Sequence, residues 1–392
     1  MGIKQCENSQ NTCVKDLATI PDAHTNQPSL LEMLQLQRRA FRLGTPLLKR
    51  SLCSASETIN VPIAEAEAKT AAALRMIGWD DEDAALQAEI MTAAEVCGNN
   101  QGLVKMFQPE LMAPQPGTSK PTIERVTSTS AVVNGNGSPG MLAAVTAADL
   151  AVKTVKASDG PIAIVGAYNT NTSSGQLAFY AGRMAKQGCI GIVASALPEF
   201  VSATGGGKPV FGTNPIAFGI PRAAGAPLTF DMATSAIALF GVLSSKAKGE
   251  LLPEGVAYGK DGGFTRDPSE ALEHGFATFG GHKGAGLALM VELLAGVLPG
   301  AAVLGQCESK KAAKNWGHTL IAIQPEALVD GFEAKAESVM AAVKASAPEG
   351  KIRLPGESSA RIAAERTAAG TLPIAPKIWE TICYTAEHGL PK

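Results

Sequence analysis

Between residues 130 and 248 short apolar runs alternate with longer amphipathic patterns, and this alternation limits the fold more than any other feature. The runs 130–133, 161–165, 190–193 and 215–220 have strand length, whereas 141–156, 176–187 and 233–248 have helical length. A chain that switches period in this way buries a sheet beneath helices, so the expected fold class is α/β. With 392 residues it can hold two domains and a substantial core. The net charge of −2 gives no electrostatic footing for nucleic acid or for a membrane surface. Seven scattered cysteines, without a Cys-x-x-Cys pair, argue against a disulfide framework and against structural zinc.

The flanks extend this pattern. Residues 62–77 and 81–97 predict two helices. The second opens on the acids Asp80 to Asp83 and places Leu86, Ile90, Ala93 and Cys97 on one face, with Gly98 as its stop. A charged stretch from Glu308 to Asn315 precedes a last expected strand at 319–323 and a helix at 329–347. The apolar segment from Gly284 to Gly305 is interrupted by Glu292 and Pro299. It is expected to be a buried helix ending near Gly296, not a membrane span. Residues 1–32 are polar and mixed in charge, a composition that favours disorder. From Met33 the chain carries Arg38, Arg39, Arg42, Lys49 and Arg50 and no acid before Glu57. That is the composition of a mitochondrial presequence starting at an internal methionine; a basic disordered tail on a cytoplasmic protein fits it as well.

Three local motifs bear on chemistry. Gly135 to Gly140 spells G-x-G-x-x-G between a strand and a helix, the setting of a dinucleotide phosphate loop. That reading requires an acid at the end of the next strand. Here the strand at 161–165 runs into Gly166, Ala167, Tyr168 and Asn169, and Pro139 removes a backbone donor, so an ordinary glycine-rich turn is the stronger reading. His282 and Lys283 lie in a glycine-rich turn before a helix, where they either present positive charge to an anion or are simply solvated. The five histidines show no i, i+4 pair, so no metal centre is expected. No Gly-x-Ser-x-Gly elbow supports a serine nucleophile.

An ordered set of short segments completes the reading: Asn134 to Gly137, Tyr168 to Asn171, Pro209 to Pro215, Asp231 to Ser235, Thr265 to Pro268, Gly280 to Gly284, Glu292 to Gly296, Leu354 to Glu357, and Ile378 with Trp379. In order and spacing this set resembles the malate/L-lactate dehydrogenase family over roughly residues 59–382. The resemblance implies a non-Rossmann α/β fold. Residues 59–125 and 306–392 would form a helical substrate domain from both chain ends, and 126–305 a central coenzyme-binding sheet domain, with 1–58 an extension. It implies a homodimer that uses NAD or NADP to pass hydride to or from the 2-carbon of a small carboxylate substrate such as malate or lactate. The coenzyme contacts would fall on Gly212, Thr213, Asn214 and Pro215, on Asp267 and Pro268, on Gly356, Glu357 and Ser358, and on the charged turn at His282 and Lys283. Asp231 would be the active-site aspartate that orients the proton donor; on its own it can also be read as a strand-end carboxylate capping a helix that starts near Ala233. The resemblance also exposes two departures. Gln101 stands where the family's acid/base histidine belongs, and Lys105 where its carboxylate-binding arginine belongs. Glutamine cannot donate a proton at useful pH, and lysine keeps the charge without the bidentate fork. Three outcomes stay open. Lys105, His282 or a water held by Asp231 supplies the proton; or the substrate is a cyclic imino acid that already carries it; or the chain binds coenzyme without turnover.

Overall fold

The computed structural model describes residues 58–303 and 316–390. The basic segment after Met33 and the charged stretch from Glu308 to Asn315 lie outside the described residues. The two chain ends meet: strand β1 (Ile59–Pro62) pairs antiparallel with β11 (Thr371–Ile374). Helices α1 (Ile63–Met76) and α2 (Asp81–Val96) follow β1, and α10 (Pro376–His388) returns to pack on α1. Asp80 caps α2 by accepting from the Asp83 amide at 2.8 Å, as the run of acids predicts.

The centre is a seven-stranded sheet in the order β2 (Thr122–Glu124), β3 (Ser130–Asn134), β4 (Ile162–Thr170), β10 (Trp316–Ile323), β5 (Ile190–Ala196), β8 (Ile216–Ile220), β9 (Leu228–Met232). Only β3 and β4 run parallel, joined by α3 (Gly140–Ala157); every other neighbouring pair is antiparallel. That mixed order is incompatible with a doubly wound parallel sheet and agrees with the expected non-Rossmann α/β class. Strand β10 belongs by sequence to the C-terminal part, which was expected to close on the helical domain. Instead it fills the slot between β4 and β5. Its alternation explains this: Leu320 and Ala322 are buried beneath the helices, while Thr319 turns to the other face and donates to the Leu294 carbonyl at 2.6 Å.

One face of the sheet is covered by α3 and α4 (Ala178–Ala185), in a core shared with α1 and α2. The opposite face is covered by α7 (His282–Val291), which continues as a π-helical turn over Glu292–Val297. The expected helix is present, but it is buried on one side only. Leu289, Met290, Leu293, Leu294, Val297 and Leu298 form an exposed apolar stripe along its outer face. A smaller lobe has its own core of Val201, Phe211, Val242, Leu252, Ala257, Ala271 and Phe276. It contains β6 (Val201–Ser202), β7 (Pro209–Phe211), α5 (Leu239–Lys248) and α6 (Pro268–His274). Helix α5 begins at Leu239 and not at 233, because the preceding backbone is already paired: Ser235 bridges Thr278 and the Ala236 amide donates to Ala277. Helix α8 (Phe332–Ala345) matches expectation, and Arg222, between β8 and β9, grips its Glu337 through two bonds of 2.7 and 2.9 Å. Helix α9 (Glu357–Ala369) completes the C-terminal part. No described helix is long and apolar enough to cross a membrane.

Candidate active site

The site grows from the end of α2. After the Cys97 cap and Gly98, the chain turns through residues 99–102 into a 3-10 turn at Leu103–Phe107. The last-turn carboxylate Glu95 accepts from the Leu103 amide at 3.2 Å and so pins the start of that turn. From α9, Arg366 donates to the Glu95 carbonyl. Lys105 Nζ donates to the Gln101 carbonyl and lies against Gly175, where an added Cβ would come within 3.8 Å of it. Burial pulls the Lys105 ammonium down to about 8, opposed by the nearby Glu95 charge. Burial also pushes Glu95 up to about 7, opposed by the Leu103 amide and by the charges of Arg366 and Lys105. An acid and a base are thus both drawn toward neutrality in one place, a condition suited to moving protons.

Gln101 takes part through its backbone. Its side-chain amide turns outward to Asn100 Oδ1 at 3.4 Å, while its carbonyl holds Lys105. The residue expected in the histidine's position therefore positions the lysine and presents no side chain to the site. Glu95 and Arg366 were missed in the sequence. A signal existed for Glu95: it is an acid in the last turn of a helix with no base there, where the helix dipole disfavours negative charge.

Gly175 leads directly to Asp231. The loop 171–177 ends at α4, and Asp231 on β9 accepts from the Ala178 amide at 2.9 Å and from the Leu177 amide. Burial raises the Asp231 carboxyl and these two amides oppose that shift. Asp231 does cap a helix, but it caps α4 across the fold and not the segment after Ala233. One loop therefore touches Lys105 at Gly175 and Asp231 at Leu177 and Ala178. Cys97 at the other side bonds Gln176.

The expected coenzyme segments converge only in part. The Thr213 carbonyl accepts from both the amide and the hydroxyl of Thr234, and the Thr234 carbonyl accepts from the Phe279 amide. Residues 212–215 and 278–283 therefore meet on the strand extension just after Asp231. Gly356 packs on the same strand; a Cβ there would sit 2.6 Å from the Thr229 carbonyl, and its φ of 76° suits glycine. Asp267 and Pro268 stand apart, in the smaller lobe, where Asp267 caps α6 through the Ser269 amide at 2.7 Å and Pro268 is buried.

Two side-chain roles need correction. The Asn214 amide, expected to face a ligand, is buried: it donates to the Ala288 carbonyl and Glu292, and accepts from the Leu197 amide. Only its backbone is left for a ligand. Glu357, expected to contact the coenzyme, already accepts from Lys344 at 2.5 Å and from the Leu354 amide at 2.9 Å. Ser358 accepts from Arg353 at 3.3 Å and keeps its hydroxyl proton to donate. The start of α7 suits an anionic coenzyme better. Gly280 and Gly281 have φ of 56° and 63° with open space around their Cβ positions, and exposed His282 and Lys283 follow on the first helical turn. Among the described residues no hydrogen bond or ion pair joins His282 or Lys283 to Lys105 or Asp231.

The G-x-G-x-x-G turn is no phosphate loop. Its amides are committed: Gly135 to Tyr168, Gly137 to Asn169, Ser138 to Gly135 and Gly140 to Thr172, while Asn136 donates to Asn134 Oδ1 at 2.9 Å. Pro139 has no N–H. The glycines are needed because a Cβ on Gly135 would meet the Asn169 carbonyl at 2.8 Å.

Residues 61–383 match the family model for malate/L-lactate dehydrogenase. The chain is 36% identical over 255 residues to an L-sulfolactate dehydrogenase of Methanothermobacter thermautotrophicus, covering 64% of this chain and 72% of that protein. It is 34% identical over 293 residues to a malate/(S)-sulfolactate dehydrogenase of Methanothermus fervidus, covering 72% and 85%. Its fold is similar to a delta1-piperideine-2-carboxylate reductase from Pseudomonas syringae, with a TM-score of 0.75, 27% identity and coverage of 84% and 100%.

Proposed function

From the premise that this chain belongs to the malate/L-lactate dehydrogenase family, we propose that it is an NAD(P)-dependent oxidoreductase in which Lys105 protonates a small 2-oxo acid. When bound, the nicotinamide supplies the hydride for the 2-carbon. The observation that carries this reading is the juxtaposition of Lys105 with Gly175, on the loop that Asp231 holds. A lysine ammonium has three donors. One goes to the Gln101 carbonyl, leaving two to bridge the 2-oxo oxygen and a neighbouring carboxylate oxygen of the substrate. With its affinity for a proton brought to about 8, Lys105 gives up a proton near neutral pH more readily than a solvated lysine. The substrate C=O becomes CH–OH, its proton comes from Lys105, and the neutral amine is recharged from water. Asp231 is a positioning residue that fixes the loop. The coenzyme is assigned to residues 212–215, to His282 and Lys283, and to Gly356–Ser358.

A second reading, reduction of a cyclic imino acid, is favoured by the outward-turned Gln101 side chain, because a protonated imine brings its own proton. One assay separates the two. Nicotinamide absorbance is followed with NADH and NADPH against pyruvate, oxaloacetate, 3-sulfopyruvate and a cyclic imine, in wild type and Lys105→Met. Loss with oxo acids alone assigns the proton to Lys105. Equal turnover of imines only, in both proteins, favours the second reading, and no turnover with retained coenzyme binding defeats both.

The assembly is proposed to be a homodimer. The stripe from Leu289 to Leu298 is an apolar patch on the outer face of α7 and its π-helical turn, and a second copy related by a twofold axis would bury it against itself. Leu293→Arg, measured by light scattering, is expected to give monomers. The basic segment after Met33 supports mitochondrial import, with a cytoplasmic protein as the alternative; imaging of a fluorescent fusion with and without residues 33–57 decides between them.

A further inference from the structure

The loop 171–177 has a second neighbour that the proposed reaction does not use. His318 on β10 is fully buried, and neither ring nitrogen has a hydrogen-bond partner. Its ring lies at the start of α3, where a Cβ on Gly140 would meet His318 Cε1 at 3.2 Å, the Thr172 carbonyl at 2.8 Å and the Ser174 amide nitrogen at 3.0 Å. Ser195 sits directly opposite His318 on β5, and its buried hydroxyl also lacks a partner. Ser138, two residues before Gly140, and Thr172, in the loop, each add a buried hydroxyl without a partner. Strand pairing sets Ser195 beside His318, and the contacts around Gly140 bring the His318 ring to the helix start and the loop that carry Ser138 and Thr172.

Their chemistry selects the occupant. Burial pulls the His318 ring down to about 4, so it stays neutral and offers one donor and one acceptor. Three hydroxyls add groups that donate or accept at will. Among the described residues no carboxylate or charged base bonds to His318 or to these hydroxyls, and burial alone, with no nearby charge, shifts the His318 ring. Buried polar atoms are paired in folded proteins, by protein or by ordered water, and a water needs two to four such partners. We propose that the space bounded by His318, Ser195, Ser138 and Thr172 is an internal water site that ties the β10 imidazole to the loop bearing Gly175. The assignment is independent of the role given to Lys105.

The test uses the full chain. A crystal structure that resolves ordered water is expected to show a water within about 3.2 Å of one His318 nitrogen and of at least one of the three hydroxyls. Water-oxygen magnetic relaxation dispersion is expected to count at least one fewer long-lived water in His318→Leu, with Ser195→Ala as the milder variant should the first not fold. Direct ring-to-hydroxyl bonds with no water between them would overturn the proposal. An unchanged count of long-lived waters in a folded variant would overturn it equally.

Discussion

Glu95 and Asp267 are both acids at helix ends, and the fold treats them in opposite ways. Asp267 stands at the N-terminus of α6, exposed, accepting from the Ser269 amide where the helix dipole welcomes negative charge. Glu95 stands in the last turn of α2, partly buried beside Lys105, where the dipole opposes it and burial drives its carboxyl up to about 7. The same contrast divides the whole site. On the proposed coenzyme side, Asn214, Glu357 and Asp267 spend their side chains on bonds within the protein, and the exposed start of α7 is the part proposed to meet a ligand. On the proposed substrate side, burial draws the charges of Glu95, Lys105 and Asp231 toward neutrality on either side of one loop. In the proposed reaction the stored electrostatic cost lies where the proton moves, and ordinary capping lies where the coenzyme is seated.

Substitutions that break this contrast rank themselves. Lys105→Met removes the proposed donor, and kcat with a 2-oxo acid should fall by roughly 10²–10⁴-fold while coenzyme affinity holds. Lys105→Arg should recover substrate KM better than kcat, since guanidinium keeps the charge and not the proton lability. Asp231→Asn replaces an acceptor of two amides by a group with one acceptor oxygen. Steady-state rates should drop at least tenfold, and chemical denaturation should show about 1–3 kcal/mol lost.

Glu95→Gln sharpens the comparison through pH. In the proposed reaction the protonated lysine is the active form, so the reduction rate should be flat at low pH and fall as pH rises through about 8. The Glu95 charge favours the ammonium; removing it should move that descending limb to lower pH, and a limb that stays put would remove Glu95 from the site. On the coenzyme side, Asp267→Ala should cost about 0.5–2 kcal/mol of stability from the lost cap and leave turnover close to wild type. The smallest effect belongs to Gln101→Ala. Its carbonyl still holds Lys105, so activity should stay within about twofold, the range of an ordinary surface change.

Much of this was legible in one dimension. The alternation after residue 130 gave β3 and α3 nearly at their ends and the starts of β4 and β5, because periods of 2 and 3.6 report which face is buried, but β4 runs on to Thr170 and β5 to Ala196. The rejection of a Rossmann loop at Gly135 to Gly140 followed from a missing acid and a proline, and every amide there is indeed taken. Strand β9 was legible only as a strand end at Asp231. Its residues are at best half-buried at the sheet edge, so no clean alternation marks them, and only the hairpin with β8 reveals that Asp231 points at α4. The central place of β10 was equally hidden, since a strand's own sequence does not say which neighbours it will find.

The sequence by itself determined the α/β class, the family and the substitution of Gln101 and Lys105 for the expected pair, since these rest on local period and residue identity. Tertiary structure alone decided that Gln101 works through its carbonyl, that Asp231 caps α4, and that Glu95 and Arg366 join Lys105. The reason is physical. A side chain's charge is written in the sequence, but its desolvation and its partners depend on contacts between α2, the loop after β4, β9 and α9 that are far apart along the chain.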